Sequence, residues 1–236
     1  VHFFLLGLLF AAASGEGLPP QARLEAAMQE AIAGSCPGQA VAFDRELTDA
    51  ARAFVLAVRA GAARAEGSAL SFYASLASAE PAPIAGVATV SPPALADRAA
   101  SDIFPKACRF NRAGIAAAVL PSGEAVVAAL TAQHSTELAR IPGSVEPGAH
   151  LEVAGQLAHG LSNPRLFVTH PTPSVETHPT PGVERPPGDV EEIALATVGD
   201  RFSARVSLKA RGEHSVEVVA DGAGGPQVIA LRRIFA

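Results

Sequence analysis

Seven histidines and two cysteines are the side chains of this 236-residue chain best suited to acid–base, nucleophilic or metal chemistry. The histidines are His2, His134, His150, His159, His170, His178 and His214. Nucleophilic catalysis needs a serine, threonine or cysteine set beside a base, and no G-x-S-x-G elbow supplies one. Pro121-Ser122-Gly123 reads as a hairpin turn, and Gly143-Ser144 falls in a linker. Neither an H-E-x-x-H zinc motif nor a phosphate-cradling P-loop is present. Gly222–Gly225 is glycine-rich, but it lies in a hairpin turn with no helix after it. Glu191 and Glu192 are adjacent, so on a strand they point to opposite faces and form no carboxylate pair. His134 with Asp97 or Asp102 is the one histidine–acid pairing that a hydrolase reading can nominate. No catalytic residue, metal ligand or cofactor is assigned.

Cys36 and Cys108 are the only cysteines. In an oxidising compartment a lone pair is most simply a disulfide, with two buried thiols as the alternative and a reactive nucleophile a distant third. Closing so long a loop stabilises by about 4 kcal/mol on chain-entropy grounds.

The compartment is indicated by the first residues. Val1–Ala13 reads VHFFLLGLLFAAA, followed by Ser14–Gly17. A secretion signal has an apolar core of about 7–15 residues ending in small residues, whereas a spanning helix needs about 20. Residues 1–17 are therefore expected to be a signal peptide cut near Ala13–Gly15. Its basic start and initiating Met are missing, which marks it as truncated. With the signal removed, no integral membrane span is expected. The net charge is −5 and no basic run occurs, so the phosphate-neutralising surface that nucleic-acid binding requires is absent. Trp is absent and aromatics make up 5%, which also removes a stacking platform for bases or sugars.

The elements that must position these residues divide into two textures. Helical spacing runs from Pro20 to Gly34 through Leu24, Ala27, Met28 and Ala31. A stronger helix carries Leu47, Ala50, Ala51, Phe54, Val55 and Val58 on one face, with Asp44 as cap and Gly61 as stop. A third covers about Ala69–Ala77, and a fourth runs from Ser91-Pro92, read as N-cap and first position, to Ile103. Ala113–Leu120 and Ala125–Ala132 are strand-length runs around the Pro121–Glu124 turn. Residues 18–134 thus read as an α+β domain ending in a β-hairpin.

Residues 135–148, with Pro142, Gly143, Pro147 and Gly148, read as a linker. Residues 149–236 read as an all-β sandwich. Its strands are expected at Leu151–Gly155, Arg165–Thr169, Ile193–Thr197, Phe202–Leu208, Ser215–Val219 and Gln227–Phe235. Within this half, Thr169-His-Pro-Thr-Pro-Ser-Val-Glu176 is followed at once by Thr177-His-Pro-Thr-Pro-Gly-Val-Glu184. Proline at that density blocks helix and central strand, so residues 169–188 are expected to form an exposed loop. His170 and His178 are read as surface residues of a duplicated loop, not as metal ligands.

Two stretches of the first half, AFDRELTDAARAFVLAV (42–58) and FNRAGIAAAVLPSGEAVVAAL (110–130), carry a resemblance. They resemble the bacterial branch of the CAP superfamily, the cysteine-rich secretory, antigen 5 and pathogenesis-related proteins. The resemblance implies an exported α-β-α sandwich. That family's cleft holds two histidines and two acids able to bind a divalent cation, but residues 67–105 contain no histidine. Glu80, Asp97 and Asp102 lie there without a matching motif, so the resemblance is to a degenerate member and no functional residue is carried over. The second half is similar to immunoglobulin-like β-sandwich modules appended to exported proteins of myxobacteria-like organisms, on EPGAHLEVAGQL (146–157) and FSARVSLKARGEHSVEVVADGAGGPQVIAL (202–231). Fold alone does not fix function. The expectation is an exported, non-catalytic binding protein of the envelope or extracellular space, whose partner is an unknown protein or envelope polymer. The alternative is a secreted hydrolase of envelope polymer or peptide.

Overall fold

A computed structural model describes residues 18–77, 83–103, 108, 110–171 and 189–236. The signal-like segment 1–17 and most of the repeat, 172–188, lie outside the described residues. The chain is mixed α+β, with helices confined to its first half.

Helix α1 (Gln21–Ser35) buries Leu24, Met28 and Ile32, the i, i+4, i+8 stripe of one face. Pro20 precedes it as N-cap and Cys36 follows as C-cap. Helix α2 (Arg45–Arg59) begins where the sequence places it. The Asp44 carboxylate accepts the Leu47 N–H at 3.0 Å, satisfying one of the free donors of the first turn. Beyond its end Gly61 adopts φ +72°, a conformation that glycine takes readily. Helix α3 spans Gly67–Ala77. The fourth helical stretch departs from expectation. Pro92 precedes Pro93, and a residue before proline is kept out of the helical region. Pro92 accordingly sits at ψ 165°, a short 3-10 turn covers Pro93–Leu95, and helix α4 spans only Ala96–Asp102.

Four strands separate these helices into two layers. Strands β1 (Ala42–Phe43), β2 (Ile84–Val90), β3 (Arg112–Val119) and β4 (Ala125–Ala132) form a sheet of order β1-β3-β4-β2. Only β1 runs parallel to its neighbour. The sequence led us to expect just the β3–β4 hairpin, so the sheet is twice as wide as expected. All eight residues of β4 are buried, because both faces are covered. Ala125, Val127 and Ala129 pack with Leu24, Met28 and Ile32 of α1 and the alanines of α4. Val126, Ala128 and Leu130 pack with Leu47, Phe54 and Val55 of α2 and Leu70 of α3. The period-2 alternation of a strand thus serves two helical layers at once. Small side chains keep those layers close. At Gly114 of β3 a Cβ would fall 2.4 Å from the Leu47 carbonyl carbon and the Thr48 nitrogen, so only glycine admits α2 to the sheet.

The second half forms two antiparallel sheets. One contains β5 (Thr136–Leu138), β6 (His150–Leu157), β10 (Arg201–Ser207) and β9 (Ala196–Val198) in the order β5-β6-β10-β9. The other contains β12 (Gly225–Phe235), β11 (Glu213–Gly222), β7 (Ser162–Thr169) and β8 (Val190–Ile193) in the order β12-β11-β7-β8. They enclose one apolar core, with Val153, Leu157, Phe202 and Val206 from the first sheet and Leu166, Val168, Val216, Val218 and Ile234 from the second. Two expectations are corrected. The stretch 135–148, read as a linker, contains β5, which pairs with β6, and Ser144 bridges to Phe235. The run Ile193–Thr197, read as one strand, divides. β8 pairs with β7, and β9 crosses to pair with β10 in the opposite sheet.

Candidate functional site

The disulfide is present: Cys36 and Cys108 are bonded, with Cα atoms 5.4 Å apart. It ties the C-terminal cap of α1 to residue 108, shortly before β3. No helix among the described residues is long and apolar enough to cross a membrane.

The histidine–acid pair nominated for hydrolysis is not brought together. Asp97 is held by Arg23 of α1 at 2.6 Å, and Asp102 ends α4 on the same layer of the domain. His134 follows β4, where its N–H donates to Asn111 Oδ1 at 2.7 Å and its carbonyl accepts from Asn111 Nδ2 at 3.0 Å. It faces a different set of groups. A cavity of about 270 Å³ lies between the first turn of α2 and the β12 edge of the second half, and it is lined by Asp44, Glu46, His134, Arg140 and Arg232, among others. Neither Asp97 nor Asp102 lines it.

Each wall of this cleft follows from local sequence. Asp44 stands at its mouth because it caps α2, and its backbone N–H donates to the Ala113 carbonyl at 2.7 Å. Glu46 belongs to the same first turn, where a carboxylate favours the helix dipole. The floor is Thr136, Ile141, Ile229 and Ala230, all buried. Arg232 is the unusual member. It lies on β12 in step with Ala230 and Ile234, both core residues, so strand alternation turns it inward. Only 8% of its surface is exposed, and its Nε and Nη1 are buried without a hydrogen-bond partner. Desolvation pushes its guanidinium below the usual arginine range; the Glu46 carboxylate pulls it back and Arg140 adds to the lowering. Its neighbour Arg233 has ordinary surface partners, with Glu213 at 2.8 Å and its guanidinium 5.6 Å from the Phe72 ring centre on α3.

A second constellation joins the base of the repeat to the β-sheet. His170 opens the first copy, and its backbone N–H donates to the Asp189 carbonyl at 2.8 Å, so both ends of the repeat meet there. Its Nε2 lies 3.1 Å from Glu191 Oε2 and its Nδ1 lies 3.2 Å from Nδ1 of His214. His214 is fully buried, with Nε2 2.8 Å from the Ala210 carbonyl. A carbonyl only accepts, so His214 carries its proton on Nε2 and its Nδ1 accepts from His170. Every bond in the chain Glu191–His170–His214–Ala210 is satisfied when His170 bears protons on both nitrogens. His170 is thus built into the sheet and is not a loose loop residue as expected from sequence. His178, in the second copy, lies outside the described residues. No group of three or more metal-ligating side chains occurs among the described residues.

Sequence reading missed Arg232 and the His170–His214 pair. For Arg232 the signal existed, since it shares parity with Ala230 and Ile234. For the histidines, 44 residues apart, there was none.

No protein-family model and no curated protein matches the chain. Among solved structures it is similar to the sulfur carrier protein SoxY from Chlorobium limicola f thiosulfatophilum, at 16% identity and a TM-score of 0.25, over 43% of this chain and 75% of that one. At that degree of likeness neither fold nor activity transfers from SoxY to this chain.

Proposed function

We propose that this chain is an exported protein of the envelope or extracellular space that binds its ligand rather than transforming it, and that binding occurs in the cleft between its two halves. The observation carrying this reading is Arg232. A guanidinium buried with open donors is expensive unless something pairs with it, and unsatisfied buried groups concentrate at functional sites. The disulfide supports export, because such bonds persist in oxidising compartments. A four-stranded sheet between two helical layers supports the degenerate CAP-like reading of residues 18–134. Two facing antiparallel sheets likewise support an immunoglobulin-like accessory module over residues 149–236.

Thermal unfolding of the full chain against small anions, small cations and neutral sugars tests the binding claim. At least one class should raise the midpoint saturably in the wild type and not in Arg232→Gln, as mass action requires of a ligand specific to the folded state. If no class does so, the cleft is not a binding site. Fractionation of the host with mass spectrometry of the mature N-terminus tests export, and recovery of the uncleaved chain from the cytosol would sink it.

A further inference from the structure

Resting on the reading of this cleft as a binding site, we propose that its ligand is a small molecule bearing a single carboxylate, seated against Arg232 with Arg140 at the rim. Three features define that chemistry. The deepest polar group in the cavity is cationic, and its open N–H donors call for an anionic acceptor. Arg140, which is exposed, adds a second positive charge at the entrance. Asp44 and Glu46 occupy the opposite wall, so a doubly charged phosphate meets two carboxylates while a monoanion meets far less repulsion. The same acids favour a ligand whose remaining atoms are neutral or cationic, as in an amino acid. The volume of about 270 Å³ lies just below the range of about 300–1,000 Å³ typical of drug-sized ligands. It accommodates a carboxylate on a short body and not a polymer. His134 and Thr136 add polar groups to the wall, and Ile141 and Ile229 supply an apolar floor.

The full chain, labelled with ¹⁵N, gives a direct readout through the arginine Nε–H resonances. Sodium acetate and glycine are the carboxylate probes. Inorganic phosphate and ammonium chloride are the contrasting ions, and sodium chloride at matched ionic strength is the control. Acetate and glycine should move the Arg232 Nε resonance along a saturable curve, with half-saturation at least tenfold lower than for phosphate. Arg140→Gln should raise the acetate half-saturation by about threefold, the scale of an exposed charge pair, and Arg232→Gln should abolish it. Should Arg232→Gln fail to fold by circular dichroism, Arg140→Glu serves instead, with a larger loss than Arg140→Gln expected. If phosphate or ammonium saturates the site and acetate does not, the carboxylate assignment is wrong while cleft binding stands. If no probe saturates beyond the chloride control, both fall, and the Arg232 donors are met by water alone.

Discussion

Replacing Gly114 by alanine tests whether the α2 layer is seated as tightly on the sheet as the structure shows. The added Cβ would lie 2.4 Å from the Leu47 carbonyl carbon, 2.4 Å from the Thr48 nitrogen and 2.6 Å from the Leu47 Cβ. None of these atoms can turn aside as the end of a flexible side chain could. Relief requires the first turn of α2 to retreat by about 1 Å, loosening dispersion contacts along that face. Overpacking of one methyl costs about 1–3 kcal/mol, and a clash with backbone belongs at the upper end, about 3 kcal/mol. With a urea slope of about 2 kcal/mol per molar, the midpoint should fall by about 1.5 M. The assay is built into the chain. Tyr73 is its only tyrosine and there is no tryptophan. Its ring packs edge-on against Phe54 of α2 at 5.9 Å, so tyrosine emission follows separation of α3 from α2. Gly34→Ala is the matched control. Nothing lies within 4 Å of its added methyl, and within α1 the change should stabilise by about 0.5–1 kcal/mol. If both variants unfold at the wild-type midpoint, α2 is not held against β3 as described.

Two further outcomes are expected. Reducing the Cys36–Cys108 bond, which spans 72 residues, should destabilise the helical half by up to about 4 kcal/mol, seen as a lower urea midpoint with dithiothreitol than without; coincident curves would remove its stabilising role. His214→Phe leaves the Ala210 carbonyl and the His170 Nδ1–H without their partner and should cost about 2 kcal/mol. Hydrogen exchange at residues 168–171 and 210–216 should accelerate locally, and unchanged exchange there would refute the four-group chain.

What could be read from sequence depended on how local the signal was. Helix α2 was legible because its cap, apolar stripe and terminal glycine all lie within 18 residues, Asp44 to Gly61. The β3–β4 hairpin was legible for the same reason, with Val119 paired to Ala125 across the turn. Strand β2 was not, since IAGVATV neither alternates cleanly nor adjoins a turn with a partner. Its pairing with β4 reaches about forty residues along the chain. The passage from β8 to β9 escaped notice because an unbroken apolar run hides a change of sheet. The cleft was least legible of all. It draws Asp44 and Glu46 from a helix start, His134 from the residues after β4, and Arg232 from a strand near the chain end. Of the adjacent pair Arg232 and Arg233, only strand parity distinguishes the buried member from the exposed one.

The disulfide also has a topological consequence. It encloses residues 37–107, and with them β1, α2, α3, β2 and α4, in a covalent ring. A single proteolytic cut anywhere in that ring opens the loop without dividing the chain, because both new ends remain attached through sulfur. Only a second cut inside the ring, or reduction, can release a piece. A nicked molecule therefore runs as one band on a non-reducing gel and as two after reduction. In surroundings rich in proteases, the helical half keeps its parts in register after the first cut.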